Sequence, residues 1–276
     1  MTWGSWGKQL SKKEIIDLIQ YCVEKGLTTF DHADIYGDYS TERDFGKAFG
    51  ESDIPREHIQ LITKCGIQMT SGRPNKLKHY QYDKNYIIGS AEDSLRKLNT
   101  DYLDLFLLHR PSPLMEPDEI ATAIDSLLAS GKIKKFGVSN FTPSQIAMVE
   151  KAVPISANQV EFSLTHNAPM YDGTFDDCIG HNRIAMAWSP LGMVFREKNE
   201  RTDRIKVILS QLRAKYDVEE SQLLLAWVLR HPAGVHPVIG TTTKERLELS
   251  VQAASISLEL QDWFLLLEAS NGHEVP

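Results

Sequence analysis

Leu103-Asp104-Leu105-Phe106-Leu107-Leu108-His109, followed by Pro117 to Ser130 and then by Lys135-Phe136-Gly137-Val138-Ser139, is the stretch that decides the fold. Its first run is apolar and short and ends on a polar side chain, the pattern of a buried strand. Pro117 to Ser130 carries apolar residues at helical spacing and stops before Gly131, a residue suited to the left-handed turn that ends a helix. The last run is again short and β-rich. Strand, helix, strand is the repeating unit of a parallel sheet.

The same rhythm continues in both directions. Further strands are predicted at Thr28 to Asp31, Ile59 to Lys64, Ala157 to Val160, Arg183 to Trp188 and Val235 to Ile239, with Met1 to Gly4 expected as the eighth. Helices are predicted at Lys12 to Lys25, Glu42 to Phe49, Asn85 to Leu98, Pro143 to Ala152, Arg204 to Tyr216, Glu219 to Arg230 and Lys244 to Ala253. Ser11 followed by Glu14 is a capping box, and Gly26 stands just past the first helix. A βα unit takes about 30 residues, so eight take about 240 and leave room for a closing helix over Glu259 to Ala269. No Pro/Gly/Ser-rich linker divides the chain. The expectation is a single α/β domain over 1–276, a (β/α)8 TIM barrel.

Composition narrows the function. Thirty Lys and Arg against 37 Asp and Glu leave a net charge of −7, which argues against a nucleic-acid backbone as partner. With 42% hydrophobic and 24% charged residues, the chain has enough apolar mass for a core. Its longest apolar run, Leu223 to Leu229, is far short of the roughly 20 residues that span a bilayer. Met1 to Leu10 has no apolar leader segment, and the three cysteines form no C-x-x-C pair. A cytoplasmic protein with no structural metal and no membrane contact is expected.

In a barrel the chemistry sits where strands end, and these strands end on reactive side chains. The second ends on Asp31, the third on Lys64, the fourth on His109 and the fifth on Ser139 and Asn140; the sixth runs up to Gln159 and Glu161, and the seventh reaches Ser189. Each signal alone is weak, since a rim histidine or a strand-ending lysine has ordinary structural uses. Their combination with Tyr36 suggests proton transfer. A phenol with a pKa near 10 is a poor acid at neutral pH, and an adjacent ammonium would favour the phenolate. Lys64 can supply that charge, Asp31 can hold it, and His109 can orient a carbonyl. The insertion from Gly66 to Tyr82, rich in Arg73, Lys76, Lys78, His79, Tyr80 and Tyr82, follows a strand and reads equally as a pocket wall or a solvated basic loop.

Thr28-Thr29-Phe30-Asp31-His32-Ala33-Asp34-Ile35-Tyr36-Gly37, Ile62-Thr63-Lys64, Leu107-Leu108-His109-Arg110-Pro111, Gly137-Val138-Ser139-Asn140-Phe141, Asn158-Gln159-Val160-Glu161, Trp188-Ser189-Pro190-Leu191-Gly192 and the Ile239-Gly240-Thr241-Thr242-Thr243 loop leading to Arg246 resemble, in that order, the aldo-keto reductase superfamily. The ending Gly272-His273-Glu274-Val275-Pro276 and the His109-Arg110-Pro111 variant after strand four are most similar to its bacterial oxidoreductase branch of uncharacterised substrate. The resemblance implies an NADP(H)-dependent reduction of an aldehyde or ketone to an alcohol. It implies that Tyr36 is the general acid, Lys64 its pKa-lowering partner, Asp31 the orienter of Lys64, and His109 the residue that positions the carbonyl. For the cofactor it implies Ser139, Asn140 and Gln159 at the nicotinamide carboxamide, Trp188 in the strand beneath the ring, and Ser189, Leu191 and Gly192 beside ribose and pyrophosphate, and it leaves open which aromatic stacks on the nicotinamide. Gly4, Ser5 and Trp6 fall in the first strand-to-helix loop, near where cofactor and substrate meet. Gly240, Thr241, Arg246 and Ser250 belong to the adenosine end, with Arg246 as the cation for a 2′-phosphate. Gly240 and Ser250 depart from the family's usual Lys and Asn, which leaves NAD(H) as a weaker alternative. With the sequence reading Met1-Thr2-Trp3-Gly4 at its start, the family's N-terminal β-hairpin plug and part of its first strand are expected to be missing.

Two rivals share the barrel. A metal-dependent hydrolase would use His32, Asp34, His109 and His166, and a regulatory subunit would keep the pocket with little turnover.

Overall fold

The computed structural model describes residues 3–275. The chain forms two compact units, one up to Asn158 and one from Gln159 onward.

In the first unit the expected strand over Met1 to Gly4 is not found: Met1 and Thr2 lie outside the described residues, and Trp3 and Gly4 form a bend. The cause is local. The Gly4 carbonyl accepts from the amides of Gly7 (2.9 Å) and Gln9 (3.2 Å), and the Trp3 carbonyl from Leu10 (3.0 Å), so the segment folds back on itself. Helix α1 (Lys12–Glu24) starts at the predicted capping box, with the Ser11 side chain accepting from the Glu14 amide and the Glu14 carboxylate accepting from the Ser11 amide. It buries Ile15, Leu18, Ile19 and Cys22, one stripe of the helix. Strand β1 (Thr29–Asp31) leads into a helical turn, α2 (Tyr36–Tyr39), and into α3 (Thr41–Phe49). Next come β2 (Gln60–Cys65), a short antiparallel hairpin of β3 (Ile67–Gln68) and β4 (His79–Tyr80), and α4 (Lys84–Leu98). The unit continues through β5 (Leu105–Leu108), α5 (Pro117–Ala129), β6 (Phe136–Ser139) and α6 (Pro143–Glu150).

Strands β1, β2, β5 and β6 pair in parallel, with Asp31 beside Ile62, Lys64 beside Leu107 and Leu108 beside Val138. Parallel register brings their C-terminal ends to one rim. Beneath it lies an aromatic cluster in which Phe30 and Phe45 are 5.2 Å apart and Trp3 meets Phe30 edge-on. Phe45 is fully buried, so truncating it to Ala should cost about 3–5 kcal/mol. The hairpin inside the insertion and the turn after Tyr36 are not evident from periodicity, because both are too short to show a period.

Strand β7 (Ala157–Glu161) leads into the second unit, which holds α7 (Thr174–Gly180), β8 (Ile184–Trp188), α8 (Glu200–Tyr216), α9 (Glu220–Leu229), β9 (His236–Val238), α10 (Lys244–Gln252) and α11 (Leu260–Asn271). Helix α9 is apolar on every side and buried from Gln222 to Val228. Its Trp227 stacks on Trp263 at 4.9 Å, and each indole N–H donates to the other residue's carbonyl. Strands β8 and β9 pair in parallel. Among the described residues seven parallel strands succeed one another in chain order, one fewer than the eight expected, and the fold is α/β and TIM-barrel-like. Among the described residues no helix is long and apolar enough to cross a membrane.

Candidate active site

Four of the predicted residues meet at the rim of the first unit. Asp31 ends β1, Lys64 stands in β2, Tyr36 opens the turn after β1, and His109 follows β5. The Lys64 ammonium is fully buried and donates to both Asp31 carboxylate oxygens (2.8 and 2.7 Å), to the His32 carbonyl (2.9 Å) and, at 3.5 Å, to the Tyr36 hydroxyl. The Tyr36 and His109 rings meet edge to face at 5.9 Å. Gly37 and Asp38, both at positive φ, turn the chain sharply just past Tyr36. A side chain at Gly37 would run into Thr41 and Ser40, so only glycine fits there.

Burial and neighbouring charges set the protonation of these groups. Burial opposes the Lys64 charge, but Asp31 and Tyr36 outweigh it and hold the ammonium above its ordinary value. Burial also raises the Tyr36 phenol; Lys64 pulls it down, Asp31 pushes it up, and the net direction is upward. Lys64 therefore lowers the phenol as expected, but not enough to outweigh burial, because Asp31 offsets part of its charge. Tyr36 is a protonated phenol at neutral pH. Burial, then Lys64 and Arg110, push the His109 imidazole well below its ordinary value, so it is neutral there, and its Nδ1 is buried without a hydrogen-bond partner.

Asp34, two residues before Tyr36, is a buried carboxyl that motif reading left without a role in the reductase. It accepts from the Ile35 amide (2.7 Å), the Tyr86 hydroxyl (3.3 Å) and the Ser90 hydroxyl (3.4 Å), tying the turn that carries Tyr36 to α4. Burial and the nearby Glu42 push it up to about 7. The folded protein thus holds this proton more tightly than the unfolded chain does. The stability so gained is complete below about pH 4 and is lost as pH rises through about 7. Asp34→Asn keeps the bonding shape and removes the titration. Relative to the parent, the variant should gain on the order of a few kcal/mol in urea unfolding as pH is raised across that window. A constant difference would show that Asp34 does not titrate there.

Tyr36 and His109 both open onto a cavity of about 370 Å³. Ile35, Ile67 and Met69 give it apolar walls, Trp6 and Tyr80 aromatic ones, and Lys78 and Arg110 are its cations. The insertion is thus a pocket wall rather than only a solvated loop. Arg110 and Ile35 fall inside motif stretches that give them no pocket role, and Ile67 and Met69 lie in the insertion; the one available signal was the position of Arg110 directly after a strand-ending histidine.

The residues assigned to the cofactor are placed as follows. In the first unit, Gly4, Ser5 and Trp6 lie in the N-terminal turn, with the Trp6 ring 6.3 Å from that of Tyr36. Ser139 ends β6, and Asn140 adopts φ 62° and donates to the Ser139 hydroxyl (2.8 Å) and the His109 carbonyl (3.3 Å). In the second unit, Gln159 is buried within β7 and Trp188 ends β8. Ser189 (φ 52°) and Gly192 (φ 56°) form a tight turn closed by a 2.8 Å amide–carbonyl bond, and Leu191 packs on the core of its own unit. A non-glycine residue held in the left-handed region, as Asn140 and Ser189 both are, is a strained feature that often marks function. Gly240 and Thr241 lie in the loop after β9, and the Thr241 hydroxyl accepts from the Thr243 amide. Arg246 is exposed on α10, and the Ser250 hydroxyl donates back to the Arg246 carbonyl. Thr243, the N-cap of α10, makes no side-chain capping bond, so this helix start with Arg246 beside it suits an anionic group.

The ligand set of the metal-hydrolase rival does not assemble. The His32 ring is wholly buried and packs edge-on against Phe45 at 4.5 Å, and among the described residues no three His, Cys, Asp or Glu side chains are placed to hold a metal ion.

Comparison with known proteins points the same way as the tetrad. The chain is 40% identical over 273 residues to the uncharacterized oxidoreductase YcsN of Bacillus subtilis (strain 168), covering 96% of this chain and 91% of that protein. It is 40% identical over 280 residues to the oxidoreductase YdhF of Escherichia coli (strain K12), covering 99% and 93%. A crystal structure of an aldo-keto reductase from Klebsiella pneumoniae in complex with NADPH superposes with a TM-score of 0.78 at 26% identity, covering 100% of this chain and 90% of that one. The model of the aldo/keto reductase family matches residues 1–270. Similarity that runs the length of the chain settles the matter: the chain belongs to the aldo/keto reductase family.

Proposed function

We propose that this protein is an NADP(H)-dependent reductase that converts an aldehyde or ketone to an alcohol, with Tyr36 as proton donor, and that residues 1–276 act as a single domain. The observation that carries the reading is the Lys64 ammonium, clamped by Asp31 and 3.5 Å from the Tyr36 hydroxyl. Bound NADPH would supply the hydride. The carbonyl carbon gains that hydride and the oxygen gains the Tyr36 proton, so two electrons and two hydrogens are added and the phenol is re-protonated from solvent. Lys64 is positioned to steady the phenolate that is left for that interval. Neutral His109 has one N–H to give the substrate oxygen, and the buried Nδ1 makes Nε2 the better bearer of that proton. In the first unit Ser139 and Asn140 offer hydroxyl and amide groups suited to a carboxamide; in the second, Gln159 offers a further amide, and the start of α10 with Arg246 offers a cation and amide donors suited to a phosphate. The NADPH-bound neighbour supports the choice of cofactor.

The direct test is NADPH consumption with a panel of aldehydes and ketones; a protein that binds NADPH but reduces none of them would be the regulatory subunit instead. Arg246 tests the choice between cofactors. A hydrogen bond to a charged group is worth about 1.5–3 kcal/mol, so Arg246→Ala should weaken NADPH binding by roughly tenfold or more and leave NADH nearly unchanged. Equal losses for the two cofactors, measured by fluorescence titration, would refute the 2′-phosphate assignment.

A further inference from the structure

We infer that the preferred substrate is a carbonyl compound that also carries an anionic group, a carboxylate or a phosphate, held by Arg110 and Lys78 beside an apolar wall. This rests on the reductase reading and names its substrate class. The cavity that exposes Tyr36 and His109 is also lined by these two cations, and no acidic residue lines it. Arg110 follows His109 directly in the chain, so a group held by its guanidinium lies close to the point where a carbonyl oxygen would meet the imidazole. Lys78 approaches from the insertion. Both cations act on the reacting groups: each disfavours the charged form of His109, and Arg110 also favours the phenolate of Tyr36.

The rest of the lining narrows the class further. Ile35, Ile67 and Met69 can cover a hydrocarbon or ring, and the volume of about 370 Å³ suits a small molecule. A neutral polyol would need acceptors for its hydroxyl protons, and the lining has no carboxylate or amide side chain to provide them. Carboxylate and phosphate oxygens are pure acceptors, matched to a guanidinium that presents paired N–H donors. Arg110 is partly buried whereas Lys78 is exposed, so Arg110 should carry more of the preference.

The test compares substrates that differ only in charge. With NADPH and the full chain, kcat/KM is measured for terephthalaldehydic acid against its methyl ester, and for glyceraldehyde phosphate against glyceraldehyde. The anionic member should lead by about tenfold or more in at least one pair, the scale of one charge-assisted contact, and the pair that shows it tells carboxylate from phosphate. Arg110→Gln should collapse that ratio, Arg110→Lys should restore part of it, and Lys78→Gln should lower it less. Ratios near one in both pairs, or a ratio unchanged in Arg110→Gln, overturn the inference while leaving the reductase reading intact. If no aldehyde is reduced, the reductase reading fails by itself. Calorimetric titration with the benzyl alcohols corresponding to the first pair then still decides the charge preference: tighter binding of the acid, lost in Arg110→Gln, supports it, and equal binding overturns it.

Discussion

Tyr36→Phe should bind NADPH like the parent and reduce carbonyls at least a hundredfold more slowly. The substitution removes one oxygen and keeps the ring, so the edge-to-face contact with His109 at 5.9 Å and the approach of Trp6 at 6.3 Å are preserved. It deletes the proton that the developing alkoxide needs. General acid catalysis is typically worth about 10² to 10⁴ in rate, which sets the floor of the loss. Because burial keeps the phenol protonated, the parent should show no loss of its acid across the neutral range. Stopped-flow or steady-state NADPH consumption, paired with a fluorescence titration of NADPH, separates the two effects. A tyrosine with only a structural role would lower the melting temperature and leave turnover per folded molecule near normal, and that result would remove Tyr36 from the mechanism.

Lys64→Met should lose both turnover and stability, and the two losses can be separated. The ammonium is fully buried, and removing it leaves the Asp31 carboxylate, whose side chain is only 11% exposed, without its partner. Breaking such a pair from one side costs about 3–5 kcal/mol. The sign of the pH dependence follows from the raised Lys64 value: the stability it contributes is complete below the ordinary lysine value, about 10.4, and is lost only as pH rises through the higher folded one. The gap between parent and variant should therefore stay constant between about pH 6 and pH 9 and narrow only in strong alkali. Adding Asp31→Asn removes the stranded charge, so the double variant should recover part of the stability without recovering turnover. Urea unfolding and NADPH consumption on the same preparations check this. Recovery of turnover together with stability would mean that Lys64 serves the fold and not the proton.

The strand–helix alternation and the four rim residues were legible because they are local. A helix announces itself through apolar spacing and its caps, as Ser11 and Glu14 do, and a buried strand through a short apolar run such as Leu105 to Leu108. The motifs around Asp31, Tyr36, Lys64 and His109 are likewise contiguous stretches. Parallel register then brings their ends together, a consequence of fold class rather than of any single contact. Where the segment was too short for a period, as over Trp3 and Gly4 or in the hairpin of Ile67–Gln68 with His79–Tyr80, the reading missed it.

Sequence alone thus determined the α/β class, the succession of strands and helices, and the identity of the residues gathered at the rim. Only the tertiary structure decided the state and surroundings of those residues. The net upward direction at Tyr36, the near-neutral carboxyl of Asp34 and the pairing of Arg110 with Lys78 around one cavity all depend on side chains far apart in the chain. Tyr86 and Ser90, which bond Asp34, are 52 and 56 residues from it. The physical reason is that desolvation and Coulomb interactions sum over everything that surrounds a group in space, whichever part of the chain it comes from. Periodicity and motifs report only neighbours along the chain, so they name the reactive groups without setting their protonation or the charge of the pocket they face.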